Sequence, residues 1–97
     1  MALDLPEIRR RLADARPALA RRYPIRSLAV FGSFARGEAR PDSDVDVLVE
    51  FSGPIGWEIA DLAEELDALL GRTVDLVPRG ALDDRHFAAV EPDLVAI

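Results

Sequence analysis

The chain has 97 residues, no cysteine and a formal net charge of −6. A chain this short holds one core, so a single domain spanning residues 1–97 is expected. Disulfides, iron–sulfur clusters and thiolate zinc sites are excluded. No run is long and apolar enough for a signal peptide or a bilayer span, so no membrane partner and a cytoplasmic setting are expected.

The charge is unevenly placed. Residues 1–26 carry seven arginines and three acids, whereas the remainder carries five arginines and fifteen acids, and the chain contains no lysine. The arginines of the start read as a solvated helix face, with a surface for phosphate or an acidic partner as the functional alternative. An acidic chain is a poor match for gripping duplex DNA through backbone charge, so no direct DNA binding is expected.

In chain order, "DLPEIRRRLADA" opens a helix: Asp4 and Glu7 stand at capping-box spacing, Pro6 is in the first turn, and Leu5, Ile8 and Leu12 share a face. Pro17 predicts a kink there or a restart at "PALARRY". "RSLAVF" predicts a strand closed by Gly32, and "SFARGE" a short helical turn. "DVDVLVEF" alternates acid and apolar residues, the pattern of a half-buried strand. Gly53, Pro54 and Gly56 break the chain.

"GWEIADLAEELDALLG" places Ile59, Leu62, Ala63, Leu66, Leu69 and Leu70 on one stripe and ends at Gly71 as a C-cap. "RTVDLV" is a third strand stopped by Pro78. "ALDDRHFAAV" reads as a last helix ended by Pro92, and the tail "DLVAI" is left without an assigned element. This order predicts an α/β (α+β) domain in two or three layers with a small mixed sheet packed by helices.

Asp44 and Asp46, two apart on a strand, leave the same face of the sheet. Asp75 has a similar setting in "TVDLV", and if its strand lies beside the other, three carboxylates converge. Two carboxylates 4 Å apart repel by about 4 kcal/mol at an effective dielectric near 20, and by about 1 kcal/mol in water. A cluster sheltered from water therefore calls for a cation, and hard oxygen ligands favour Mg²⁺ or Mn²⁺. Asp42, Asp44 and Asp46 imitate the start of an EF-hand loop, but Val47 stands where that loop needs glycine and Gly53 where it needs glutamate. The simple alternative is an exposed strand start.

Gly32 permits close approach of a phosphate, and the Ser33 hydroxyl and the free N–H groups of the following turn can donate to it. The alternative is an ordinary strand-to-helix turn with Ser33 as N-cap. No Gly-Lys-Ser/Thr follows, so this is not a Walker A loop.

The stretch "GSFARGEARPDSDVDVLV" resembles the nucleotidyltransferase signature G-S-x-A-R-G, spacer, S-D-x-D. With the following helix and "GRTVDLV", the chain is similar to the minimal nucleotidyltransferases, small relatives of DNA polymerase β often encoded as antitoxins beside a HEPN ribonuclease toxin. The resemblance implies the polymerase β-like fold. It also implies phosphate binding at Gly32 and Ser33, and metal binding and catalysis by Asp44, Asp46 and Asp75. Arg36 is expected to pair with an acid and fix the turn, with phosphate contact as the other reading. Ser43 is expected to cap the loop and orient Asp44 beside the nucleotide.

The activity so implied is Mg²⁺-dependent transfer of AMP from ATP to a hydroxyl of a protein acceptor, a cognate HEPN toxin, in a hetero-oligomer. A second reading is a binding antitoxin that works by occupying the toxin's surface. A third is transfer to a small molecule. His86, the lone histidine, reads as a surface or partly packed residue, since one histidine cannot build a histidine metal site. Trp57 reads as packing, with a partner surface or an adenine stack as alternatives.

Overall fold

A computed structural model describes residues 3–97. Asp4 starts the first helix, its Oδ1 accepting from the Glu7 N–H at 3.0 Å. Helix α1 then runs from Leu5 to Arg22 with Pro17 inside it. The restart expected at Pro17 does not occur. Proline there removes one intrahelical N–H donor, while buried Leu12 and Leu19 anchor the helix on either side.

Strands β1 (Ile25–Phe31) and β2 (Val45–Phe51) are antiparallel, with the short helix α2 (Gly32–Arg36) between them. Helix α3 (Glu58–Leu70) leads to β3 (Val74–Pro78), which pairs parallel to β2. A 3₁₀ turn at Arg79–Ala81, helix α4 (Asp84–Val90) and a second 3₁₀ turn at Glu91–Asp93 complete the chain, with β4 (Val95–Ala96) after them. The strand order is β3-β2-β1-β4, a mixed sheet. The tail without a predicted element thus supplies the edge strand beside β1.

Alternation decides which face is covered. Val45, Val47 and Val49 of β2, with Leu28 and Val30 of β1 and Val74 of β3, join Ile8, Leu12 and Leu19 of α1 and Leu62, Leu66 and Leu70 of α3 in one core. Each fully buried leucine contributes about 1.5–3 kcal/mol relative to exposure. The predicted α3 stripe is present: Leu62, Leu66 and Leu70 are buried, and Ile59, Ala63 and Leu69 half-buried. Gly71 ends α3 with φ 65°, the left-handed conformation expected of a glycine cap.

Trp57 corrects the packing expectation, being 94% exposed. At 100° per residue it stands about 180° around the helix from Leu66, so the face that docks on the sheet points away from it. Among the described residues no helix is long and apolar enough to cross a membrane.

Candidate active site

The open face of β2 carries the acids because its other face carries the valines. Val45 and Val47 are fully buried, while Asp46 between them is half-buried and Asp44, just before the strand, is exposed. The register places Asp46 opposite Asp75 of β3 and opposite Phe31 of β1. Neighbouring strands lie about 4.8 Å apart, so paired carboxylates on one face are close. The strand neighbourhood that the converging acids required is therefore present.

The electrostatics follow from that crowding. Burial, then the charges of Asp75 and Asp44, push the Asp46 carboxyl above its ordinary value. Arg36 pulls weakly the other way. None of the three acids forms an ion pair with a basic side chain among the described residues.

Gly32 lies against this cluster. Its φ of 74° is in the left-handed region, and a Cβ there would overlap Oδ2 of Asp46. Two constraints, backbone and space, thus require glycine. The cap position of α2 is Phe31, with no side-chain cap, so Ser33 is not the N-cap but a first-turn residue. Gly37 closes α2 with φ 71°.

The remaining motif residues hold the frame. Arg36 donates from Nε to Glu38 and from Nη1 to Asp93, each at 3.0 Å, tying α2 to the C-terminal 3₁₀ turn. The expected pairing of Arg36 with acids is what its side chain does. Ser43 Oγ accepts from the Arg40 N–H at 2.8 Å, closing the loop immediately before Asp44. His86 donates its backbone N–H to Asp83 at 2.8 Å, an N-cap contact of α4, and its exposed ring meets the same carboxylate.

Trp57 is at the opposite end of β2 from the acids, since about 17 Å of strand separates Asp46 from Phe51. A cleft of about 470 Å³ between Leu3–Pro6 and the α2 residues Phe34–Arg36 with the Gly37 cap contains none of the three acids. Arg72, which sequence reasoning passed over, reaches across the loop that precedes Asp44.

Three carboxylate side chains that repel one another, with one half-buried and none paired to a base, match the chemistry of a hard cation. Among the described residues no group of three such side chains forms a ready-made cage.

Comparison with known proteins agrees with this geometry. The family model described as "Nucleotidyltransferase domain" matches residues 12–95. Protein adenylyltransferase MntA of Thermococcus cleftensis is 46% identical over 81 residues, covering 82% of each chain. A solved structure provisionally assigned as a minimal nucleotidyltransferase superimposes with a TM-score of 0.81 at 38% identity, covering 98% of this chain and 97% of the other. The fold also matches the complex of a tri-AMPylated Shewanella oneidensis HEPN toxin with its MNT antitoxin, at a TM-score of 0.67 and 19% identity, over 92% of this chain and 70% of that one. With Gly32 set against Asp46, the acids paired across two strands and the family model spanning most of the sequence, the chain belongs to the nucleotidyltransferase domain family and is an enzyme of that class.

Proposed function

We propose that this nucleotidyltransferase moves AMP from ATP onto a hydroxyl of a partner protein, a HEPN-type toxin, and so acts as its antitoxin in the cytoplasm. The observation that carries the reading is the register of Asp46 opposite Asp75, with Gly32 packed on the Asp46 carboxylate. The acceptor class rests on the MntA relative's name and on the toxin–antitoxin complex that shares the fold.

Gly32 and Ser33 hold the triphosphate, Gly32 by leaving room for close approach and Ser33 by donating its hydroxyl. Asp44, Asp46 and Asp75 would hold Mg²⁺, or Mn²⁺ in its place. When bound, the cation neutralises triphosphate charge and lowers the pKa of the acceptor hydroxyl. In this reading Asp75 takes the hydroxyl proton. The acceptor oxygen bonds to the α-phosphorus as the bond to the bridging oxygen breaks, and pyrophosphate leaves. Ser43 and Arg36 position rather than react, Ser43 by closing the turn before Asp44 and Arg36 by fixing α2 to the C-terminal segment.

The test is transfer of label from α-³²P-ATP with Mg²⁺ to a HEPN-type acceptor, comparing wild type with Asp44→Ala. Label on the acceptor with wild type alone is expected. Equal labelling by Asp44→Ala would overturn the mechanism, and a stable unlabelled complex would make the protein an antitoxin by occupancy.

A further inference from the structure

The carboxylates come from segments distant in sequence, and one side chain outside the nucleotidyltransferase signature touches the frame of each. Arg72 lies between the Gly71 cap of α3 and the start of β3, three residues before Asp75. Its Nη1 donates to the carbonyls of Pro41 and Ser43, each at 2.9 Å, and to that of Arg40 at 3.4 Å. Those carbonyls belong to the loop that delivers Asp44. The guanidinium also lies over the Phe34 ring, 5.3 Å from its centroid. Phe34 is the buried residue of α2 and follows Ser33 directly.

The backbone beside Arg72 closes the same joint, since the Val45 N–H donates to the Thr73 carbonyl at 3.0 Å. The Asp44 loop has no regular structure. Its internal ties are the Arg40–Ser43 contacts, in which the Ser43 N–H donates to the Arg40 carbonyl and Ser43 Oγ accepts from the Arg40 N–H. The Val45–Thr73 bond fixes only the end of this loop; Arg72 is the side chain that holds the 40–43 turn itself from outside, and without it the turn is freer to tilt and change the direction in which Asp44 is presented. Arginine suits the place because its planar guanidinium lies on a ring face while its edge donates, whereas a lysine ammonium is a point charge without the plane.

We propose that Arg72 is a positioning residue of nucleotidyl transfer: by clamping the 40–43 turn against β3 and Phe34, it sets Asp44 in register with Asp46 and Asp75. It touches neither nucleotide nor acceptor and acts through the carboxylate it places. The inference rests on the reading that Asp44 serves the reaction. Its consequence is specific, since a displaced Asp44 weakens the hold on the cation and the alignment of the reacting atoms more than it weakens capture of ATP. Loss of a group that orients metal ligands commonly costs about 10–100-fold in metal affinity or activity.

The test compares wild type, Arg72→Met, Arg72→Lys and Asp44→Ala as full chains, each first checked by thermal melting. Binding of Mn²⁺ in the presence of α,β-methylene-ATP is measured by calorimetry, and amide exchange is followed over residues 38–44. Metal dependence and ATP dependence of label transfer are measured on the same samples. For Arg72→Met we expect half-saturation by Mn²⁺ to rise roughly tenfold, amide exchange in 38–44 to quicken, kcat to fall about 10–100-fold, and KM for ATP to stay within about threefold. Arg72→Lys, which keeps a donor, should lie between, and it serves as the test variant if Arg72→Met does not fold.

A lower melting temperature with unchanged Mn²⁺ half-saturation and unchanged exchange in 38–44 would make Arg72 merely structural and overturn the proposal. If Arg72→Met is indifferent while Asp44→Ala loses transfer, the positioning role fails and the proposed function stands. If Asp44→Ala itself transfers label normally, the reading on which the inference rests fails first.

Discussion

Gly32 and Asp46 compete for one space: a Cβ on Gly32 would overlap the Asp46 carboxylate, and the φ of 74° at Gly32 already disfavours any side chain. The residue that turns the chain out of β1 and the acid at the centre of the proposed site are thus coupled by packing.

Gly32→Ala must therefore either rotate the backbone or displace Asp46. We expect a loss of about 1–3 kcal/mol in stability from the unfavourable conformation, and a fall in transfer of at least about a hundredfold, the scale of a small misplacement at a reacting centre. Urea denaturation and α-³²P-ATP labelling on the same preparation measure the two effects.

Asp46→Asn separates stability from activity. The wild-type carboxylate is half-buried beside Asp75 and Asp44, so removing its charge relieves repulsion. A gain on the order of 0.5 kcal/mol or less is expected, limited by solvent screening of a partly exposed group. Transfer should fall by roughly a thousandfold or more. Thermal melts without divalent cation, paired with labelling, check both halves.

Arg36→Ala removes the ion pairs to Glu38 and Asp93. Both lie at the surface, so the expected cost is about 0–1 kcal/mol, and KM for ATP should change by less than about threefold. A rise in KM of tenfold or more would instead place Arg36 on a phosphate.

Acid should act on two groups in opposite directions. Hydrogen bonds from Arg10 and then Arg11 hold the Glu7 carboxyl at about 2 against an ordinary 4.5. The stability Glu7 contributes is present above 4.5 and lost as pH falls towards about 2. Asp46 is raised above its ordinary 3.8. Its contribution is therefore present below 3.8 and lost as pH rises through the folded value. Melting curves from about pH 7 to about pH 3 should show Glu7→Gln losing less stability in acid than wild type. The advantage of Asp46→Asn at neutral pH should vanish in acid.

Trp57→Ala should change stability by less than about 0.5 kcal/mol, as is usual for a surface substitution. Because Trp57 lies at the far end of β2, its fluorescence should not respond to Mg²⁺-ATP. A clear quench on nucleotide addition would contradict that placement.

Much of the fold was legible because its signals are local. The alternation in "DVDVLVEF" separates the buried valines from the acids within one strand, and the leucine stripe of α3 declares its docking face in the same way. Trp57 was misread because its apolar character was taken as burial, although its phase on the helix sets it opposite Leu66. Pro17 predicts a kink or a restart, and the restart does not occur because the buried contacts of α1 on both sides carry the helix through it.

The sequence by itself determined the Gly32–Ser33 turn, the separation of Asp46 from the buried valines on either side of it, and the family. Each depends on spacing along a continuous stretch. Only the tertiary structure decided that Asp75 lies opposite Asp46, that the last residues form the edge strand beside β1, and that Arg72 grips the loop before Asp44. Those relations depend on strand register and on side-chain reach between segments some 30 residues or more apart, and the free energy that selects them comes from burying the common core rather than from any local preference.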